Sequence, residues 1–440
     1  MVLAFIGLSM TKNTNPRSSG AGDTLQQAVE DSLASIPVAF LEHQISKKLK
    51  QQIVRPPKGL ARKIAEHVLS GSAEPFVFEH AAQRKNIKIT IDDSDFEQMA
   101  QTLEHFQERQ LPALISSMTE KTAERTLKAL KTGWPEERRL QEADLAGFRE
   151  RMQSRWGKPL GQSQMLLTMV REWVGEINVR ENSKRSSRNR ESRKLLIRLL
   201  VRGCQVTDEI LCLLENGFPD GAMARWRTLH EIAVVAAVIQ QYGDEISKRY
   251  LAHQHVESKR AMDKYLASSP QLGYRPMGTR AQARIQNTYD KVVATYGRNF
   301  KSDYGWAAFH LKKERPTFAD LEEAAGRAEM RSHYQMGNDN VHAGIKSLYV
   351  RLGLIGDYER LLAGRSNAGL TEPGQNAAHT LTQLAVLICS SEPIVDDNVI
   401  ANMLVKLRGE IPGSFARVDV QIQREEKAMR RQARNLVGNR

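Results

Sequence analysis

Four residues in two distant stretches have the types and spacing to do chemistry together. Arg227 and Glu231 stand four apart among Met223, Val234 and Val238, with His230 beside them. Residues three and four apart share a helical face, so the cation and the carboxylate fall on a stripe that is otherwise apolar. An unpaired charge pointing inward there would be costly, so an i, i+4 ion pair is expected. A second stretch repeats the pattern: Tyr334, Asn338, Val341, His342, Ile345, Leu348, Tyr349 and Leu352 share a face that Asn338 and His342 interrupt. Gly337 and Gly344 would let another backbone approach closely. Should the two faces meet, a guanidinium, a carboxylate, an amide and an imidazole share one low-dielectric place. His342 could then act as general acid or base while Arg227 holds an anion. The same groups would serve equally as a satisfied network that fixes helix register.

Other chemistries are less well supported. The chain has no phosphate-binding loop of the Gly-x-x-x-x-Gly-Lys type, no dinucleotide-binding glycine pattern opening a helix, and no Gly-x-Ser-x-Gly elbow. His230-Glu231 lacks the second histidine of a His-Glu-x-x-His motif, and His253 and His255, two apart on a helix, point to different sides. No cofactor or metal is therefore expected; a mixed site of Glu231, His342 and another histidine is the remaining metal alternative.

The elements that must position these residues are helices. Aromatic residues make up 6% of the 440, while Ala, Leu, Glu, Gln, Arg and Lys abound, a mixture that favours helix over sheet. The expected fold is mainly α: an N-terminal helical region followed by a C-terminal antiparallel helical bundle. Residues 1–23 read as a flexible entry. Residues 24–182 read as the N-terminal helical region, broken at Pro56-Pro57, with a small hairpin near residues 76–91. Further stops are expected at Gly133-Trp134-Pro135 and at Gly157. The polar run from Glu181 to Arg188 reads as a join between domains, placing the boundary near Ser183 and the bundle at 183–410. Within the bundle, Asn216-Gly217 supplies a left-handed stop and Asp220 a cap for the next helix, so Lys194–Asn216 and Ala222–Tyr242 form an antiparallel pair. Later helices are expected over Glu245–Leu266, Thr279–Tyr296, Thr317–Leu352 in one or two pieces, Gln375–Ser390 and Asp396–Leu407, before a basic tail at 411–440.

The formal charge is +13 and unevenly placed. The stretch between Glu42 and Glu66 carries +7, Arg180 to Arg198 carries +6 and Arg424 to Arg440 carries +4, leaving the rest slightly acidic. Such patches can bind phosphate backbones by counterion release or remain solvated helix faces. Lys184, Arg185, Arg188, Arg190 and Arg193 are the candidate nucleic-acid contacts. Cys204, Cys212 and Cys389 suggest neither a disulfide framework nor a zinc ribbon, and no apolar run is long enough to span a bilayer. A cytoplasmic location without membrane contact is expected.

The run Asn216-Gly217-Phe218-Pro219-Asp220-Gly221-Ala222-Met223-Ala224-Arg225-Trp226-Arg227-Thr228-Leu229-His230-Glu231, then Tyr250, then Asn338-Asp339-Asn340-Val341-His342, resembles a bacterial family of unknown function. Its members have a helix hairpin with an Arg-x-x-x-Glu motif and a later helix carrying a histidine, and the likeness covers roughly residues 190–355. That family in turn looks distantly like the HEPN-type helical modules of RNA-cleaving toxins and abortive-infection proteins, where an Arg-Asn-x-x-x-His motif cuts RNA without metal. Asn338 and His342 match that motif, while Gly337 stands where its arginine would be, leaving Arg227 or Arg331 to supply the charge. The resemblance implies a defence or toxin protein acting on RNA through Arg227, Glu231, Asn338 and His342. The alternative is a noncatalytic module that binds protein or nucleic acid. A homodimer is compatible with either.

Overall fold

The computed structural model describes residues 21–72, 74–78, 87–183, 190–342, 344–355, 361–389 and 393–438. The chain is mainly α, as expected, and among the described residues it has no strand. It divides into two compact units, Met1–Glu137 and Arg138–Arg440.

In the first unit, α1 (Ala21–Gln52) places Leu41, Ile45 and Leu49 at every fourth position. With Ile53 just beyond its end they form a buried stripe completed by Leu60 and Ala65 of α2 (Leu60–Leu69). The break between the two helices falls at Pro56-Pro57, where the sequence places it. The expected hairpin near 76–91 is not formed: Phe76–Phe78 and Ile87–Ile91 carry no strand, and residues 79–86 lie outside the described residues. Side chains of α1 take the role of a partner strand, with Lys48 Nζ donating to the Thr90 carbonyl and Gln52 Nε2 to the Lys88 carbonyl. A capping box at Asp92 and Asp95 opens α3 (Asp93–His105). Of the expected flexible entry, residues 1–20 lie outside the described residues and Ala21–Asp23 are helical.

One helix, α4 (Leu111–Ser183), replaces the separate helices read from the sequence. Gly133 and Gly157 do not adopt the positive φ that ends a helix, so the chain runs on through both and through Pro135. From Met152 onward α4 buries Trp156, Leu160, Leu167, Val170, Trp173 and Ile177 in the core of the second unit. Trp173 Nε1 and Arg180 Nη2 both donate to Asp397 Oδ1, at 2.7 and 2.6 Å. The stretch 138–183 therefore belongs with the C-terminal unit. The boundary lies at residue 137 rather than near Ser183, because an apolar face is a stronger tie than a polar run is a break.

The rest of that core comes from α5 (Arg190–Glu215), α6 (Pro219–Leu272), α12 (Thr371–Cys389) and α13 (Val395–Gly438). Between α5 and α6, Gly217 at φ +76° closes a Schellman turn: its N–H donates to the Leu214 carbonyl and the Phe218 N–H to the Leu213 carbonyl. Asp220 is not the cap of α6; Pro219 starts the helix, and the Asp220 carboxylate instead accepts the Leu352 N–H at 2.8 Å. Within α6, Gly243 at φ 70°, ψ −142° breaks the helix where the sequence places a stop.

After α7 (Thr279–Tyr296) come short pieces: α8 (Ala308–Leu311), α9 (Phe318–Ala324), α10 (Arg331–Asp339) and α11 (Ile345–Tyr349). The one or two helices expected over 317–352 are thus divided, with Gly326 at φ +63° ending α9's turn and α10 stopping before Asn340. The predicted basic tail is the continuation of α13, which buries Ile411, Phe415 and Ile422. No helix among the described residues is long and apolar enough to cross a membrane.

Candidate functional site

The two polar stretches meet. Gly337 of α10 lies against the first turns of α6, where an added Cβ would stand 3.3 Å from both Arg227 Cβ and the Met223 carbonyl oxygen. That approach brings the Tyr334 hydroxyl to Glu231, where it donates to Oε1 at 2.7 Å. Arg227 Nε lies 3.1 Å from the same Glu231 oxygen, giving the expected i, i+4 ion pair. The Arg227 guanidinium also sits 5.0 Å from the centre of the Tyr334 ring, with that of Arg331 at 5.8 Å.

Arg227 and Glu231 do not point into the core. Their side chains are 26% and 35% exposed, and the fully inward position is the neighbouring His230, at 1%. The difference follows from the width of the apolar face: Trp226, Leu229 and Ala233 take the centre with His230, leaving Arg227 and Glu231 on its margin. There they line an open cleft of about 380 Å³ together with Leu213, Ala224, Arg225, Thr228 and Val341. Arg225 pairs with Glu209 and reaches Thr228 Oγ1 at 3.3 Å. Arg225 and Thr228 escaped the sequence reading, although their spacing of three was the available signal.

Asn338 and His342 do not share a helix. Their backbones are joined by the His342 N–H donating to the Asn338 carbonyl at 3.0 Å, in the turn that follows α10. Asn338 Oδ1 is buried without a hydrogen-bond partner, whereas His342 is exposed, next to the cleft residue Val341. The expected fourfold cluster is thus divided: Arg227 and Glu231 line the cleft, while the His342 imidazole is exposed on the turn that follows α10.

Electrostatics keep the Arg227 guanidinium charged. Burial pulls the Arg227 pKa down, but hydrogen bonding to Tyr334 and the charge of Glu231 outweigh it and hold the guanidinium above its ordinary value. Burial and the bond to Glu231 raise Tyr334 well above the usual phenol range, so its proton stays in place. Behind the cleft, His230 Nε2 lies 2.9 Å from Glu322 Oε1 of α9, whose other oxygen accepts from Arg331 Nη1. Burial is the largest influence on His230 and lowers its pKa, so the neutral ring donates to the carboxylate. Glu322 is 1% exposed and was not singled out in the sequence; only its place in the capped helix after Thr317 hinted at an ordered position.

Of the candidate nucleic-acid contacts, Lys184, Arg185 and Arg188 lie outside the described residues. Arg190 is exposed. Arg193 is withdrawn from that role, since it is 7% exposed, donates to the Ile388 carbonyl at 2.7 Å and lies 3.4 Å from Glu181. The first unit keeps an open basic surface, with Lys47, Lys50, Arg55, Lys58, Arg62 and Lys63 exposed. Among the described residues no three His, Cys, Asp or Glu side chains gather as a metal site, and His253 is turned to the Ser302 carbonyl at 2.9 Å.

The stretch that builds this cleft can be compared with known families. Residues 193–358 match DUF5677, a family of unknown function. The DUF5677 match runs from the first turn of α5 past α11 and so covers Arg227, Glu231, Asn338 and His342 together. It agrees with the resemblance to an uncharacterised helical family carried by the same residues. Searches of the curated proteins and of solved structures returned no match.

Proposed function

We propose that the chain acts on RNA at the α6–α10 cleft, as a defence or toxin type of protein working in the cytoplasm, where its substrate is found. The observation that carries this reading is the close contact of Gly337 with Arg227, which sets the paired guanidinium in a cleft lined also by Val341, the chain neighbour of the exposed His342. The chemistry suited to these groups is attack by a ribose 2′-oxygen on the adjacent phosphorus. His342 takes the hydroxyl proton, Arg227 offsets the charge gathering on the nonbridging oxygens, and the proton is returned to the departing 5′-oxygen. A 2′,3′-cyclic phosphate and a free 5′-hydroxyl result. Glu231 and Tyr334 act as positioning residues that hold the Arg227 fork.

The test is incubation of purified protein with labelled tRNA and mixed RNA, beside His342→Ala, with and without chelator. Cleavage by the wild type alone, in both conditions, supports the reading. Absence of cleavage in every lane refutes it.

A second reading, an RNA-binding module without catalysis, is favoured by the ion pair of Arg227 with Glu231 and the hydrogen bond of Tyr334 to the same carboxylate. It predicts binding that weakens steeply with salt while the RNA stays intact.

A further inference from the structure

Away from the cleft, two arginines meet one face of α12, one at His379 and the other at Gln383, with no carboxylate in contact with either among the described residues. Arg327 follows the end of α9 and is 7% exposed; its Nη1 donates to Gln383 Oε1 of α12, while its Nε is buried without a partner. Arg408 of α13 donates from Nη1 to His379 Nδ1 at 2.9 Å, and its Nε is likewise buried without a partner. His379 and Gln383 stand four apart on α12 and so share a face. Among the described residues neither guanidinium has a carboxylate within 4 Å. Glu329, which is exposed, acts on Arg327 and His379 through space alone. Burial, followed by the charges of Arg408 and then Arg327, lowers the His379 pKa.

Gathering like charge in a partly desolvated place is costly unless something of opposite sign completes it. The hydrogen-bonding roles also point one way. Because His379 Nδ1 accepts from Arg408, a neutral ring carries its proton on Nε2 and is a donor there. Two planar forks and an imidazole N–H make a set of donors with more positions than a carboxylate's two oxygens fill, and they suit a tetrahedral oxyanion.

We propose that Arg327, Arg408 and His379 form a binding site for a phosphate group, free or carried by a nucleotide, separate from the α6–α10 cleft. The site is independent of whether the cleft cleaves RNA. Its test is thermal unfolding of the full chain at fixed ionic strength, titrated with inorganic phosphate, adenosine monophosphate, adenosine and chloride. A ligand that binds the folded state raises the melting temperature in proportion to its occupancy. The expected result is a rise with phosphate, with adenosine monophosphate, or with both, and none with adenosine. A rise with inorganic phosphate assigns a free anion; a rise with the nucleotide alone assigns a nucleotide phosphate. Arg408→Gln, at a partly exposed position, should fold and weaken the response by about tenfold or more in apparent Kd, the scale of a lost charge-assisted hydrogen bond. No rise above chloride in the wild type would overturn the proposal. So would an undiminished response in Arg408→Gln, which would place the phosphate elsewhere, the Arg225 and Arg227 cleft included.

Discussion

The hydroxyl of Tyr334 donates to Glu231 Oε1 at 2.7 Å and so ties α10 to α6 across more than a hundred residues of sequence. Tyr334→Phe keeps the ring between its neighbours and removes only the hydroxyl, and with it the bond to Glu231 and its hold on Arg227. We expect a loss of about 1 kcal/mol, the usual net worth of one hydrogen bond, read as a lowered midpoint in urea unfolding.

His342 and Arg227 should separate fold from activity. His342 is exposed on a turn, so His342→Ala should change stability by less than about 0.5 kcal/mol. Arg227→Ala leaves Glu231 without its cation and removes the guanidinium from the Tyr334 ring, for an expected loss of about 1–2 kcal/mol. Melting curves recorded beside RNA cleavage would show whether loss of activity in His342→Ala occurs without loss of fold.

Stability should fall on mild acidification. Burial lowers the His230 pKa below the ordinary imidazole value in the folded state, and burial with Arg408 and Arg327 does the same for His379. The unfolded chain then binds protons that the folded chain refuses, so stability present above pH 6.5 is lost as pH drops below it and levels off under the folded pKa values. Urea midpoints from pH 7.5 down to 5.5 should show the slope, and His230→Gln should reduce it.

The three cysteines should react unequally. Burial pushes the Cys204 thiol up to about 11 and Cys389 far above the usual thiol range, whereas Cys212 is exposed. A thiol reagent at pH 8 should label Cys212 alone in the native protein, and all three cysteines in denaturant, because the thiolate is the reacting form. Rapid labelling of Cys204 or Cys389 under native conditions would contradict their burial.

Gly217→Ala should be among the more damaging single changes. The position has φ +76°, and a Cβ there would stand 2.6 Å from both the Ser366 carbonyl oxygen and Phe148 Cζ. Left-handed strain costs roughly 1–2 kcal/mol before the clash is counted, so a loss beyond 2 kcal/mol is expected by chemical denaturation.

Local chemistry was legible in the sequence and long-range packing was not. Gly217, Gly243 and Pro56-Pro57 each stop or bend the chain where their own backbone preferences dictate, and Arg227 with Glu231 pairs as its spacing requires. The glycines at 133 and 157 misled because a glycine ends a helix only when it turns left-handed, which neither does. Asn338 and His342 were placed on one face of one helix. The chain leaves helix after Asp339, so the Asn338 Oδ1 atom is buried while His342 is released to solvent. Glu322 and Arg408 belong to networks assembled across α6, α9, α12 and α13, and no spacing within one helix could signal them.

The break at Gly243 also governs how the α5–α6 pair is closed. By leaving helical geometry there, the chain brings Asp244 to the first turn of α5, where its Oδ1 accepts the Ser192 N–H at 2.8 Å. The opposite end of the pair is held by the Schellman turn at Gly217. Residues 190–244 are therefore fastened at both ends by contacts made within that same stretch, a low-entropy loop that can form without waiting for the remainder of the chain. Such a segment is the natural nucleus for the second unit, and its amides should be the last to exchange with deuterated solvent.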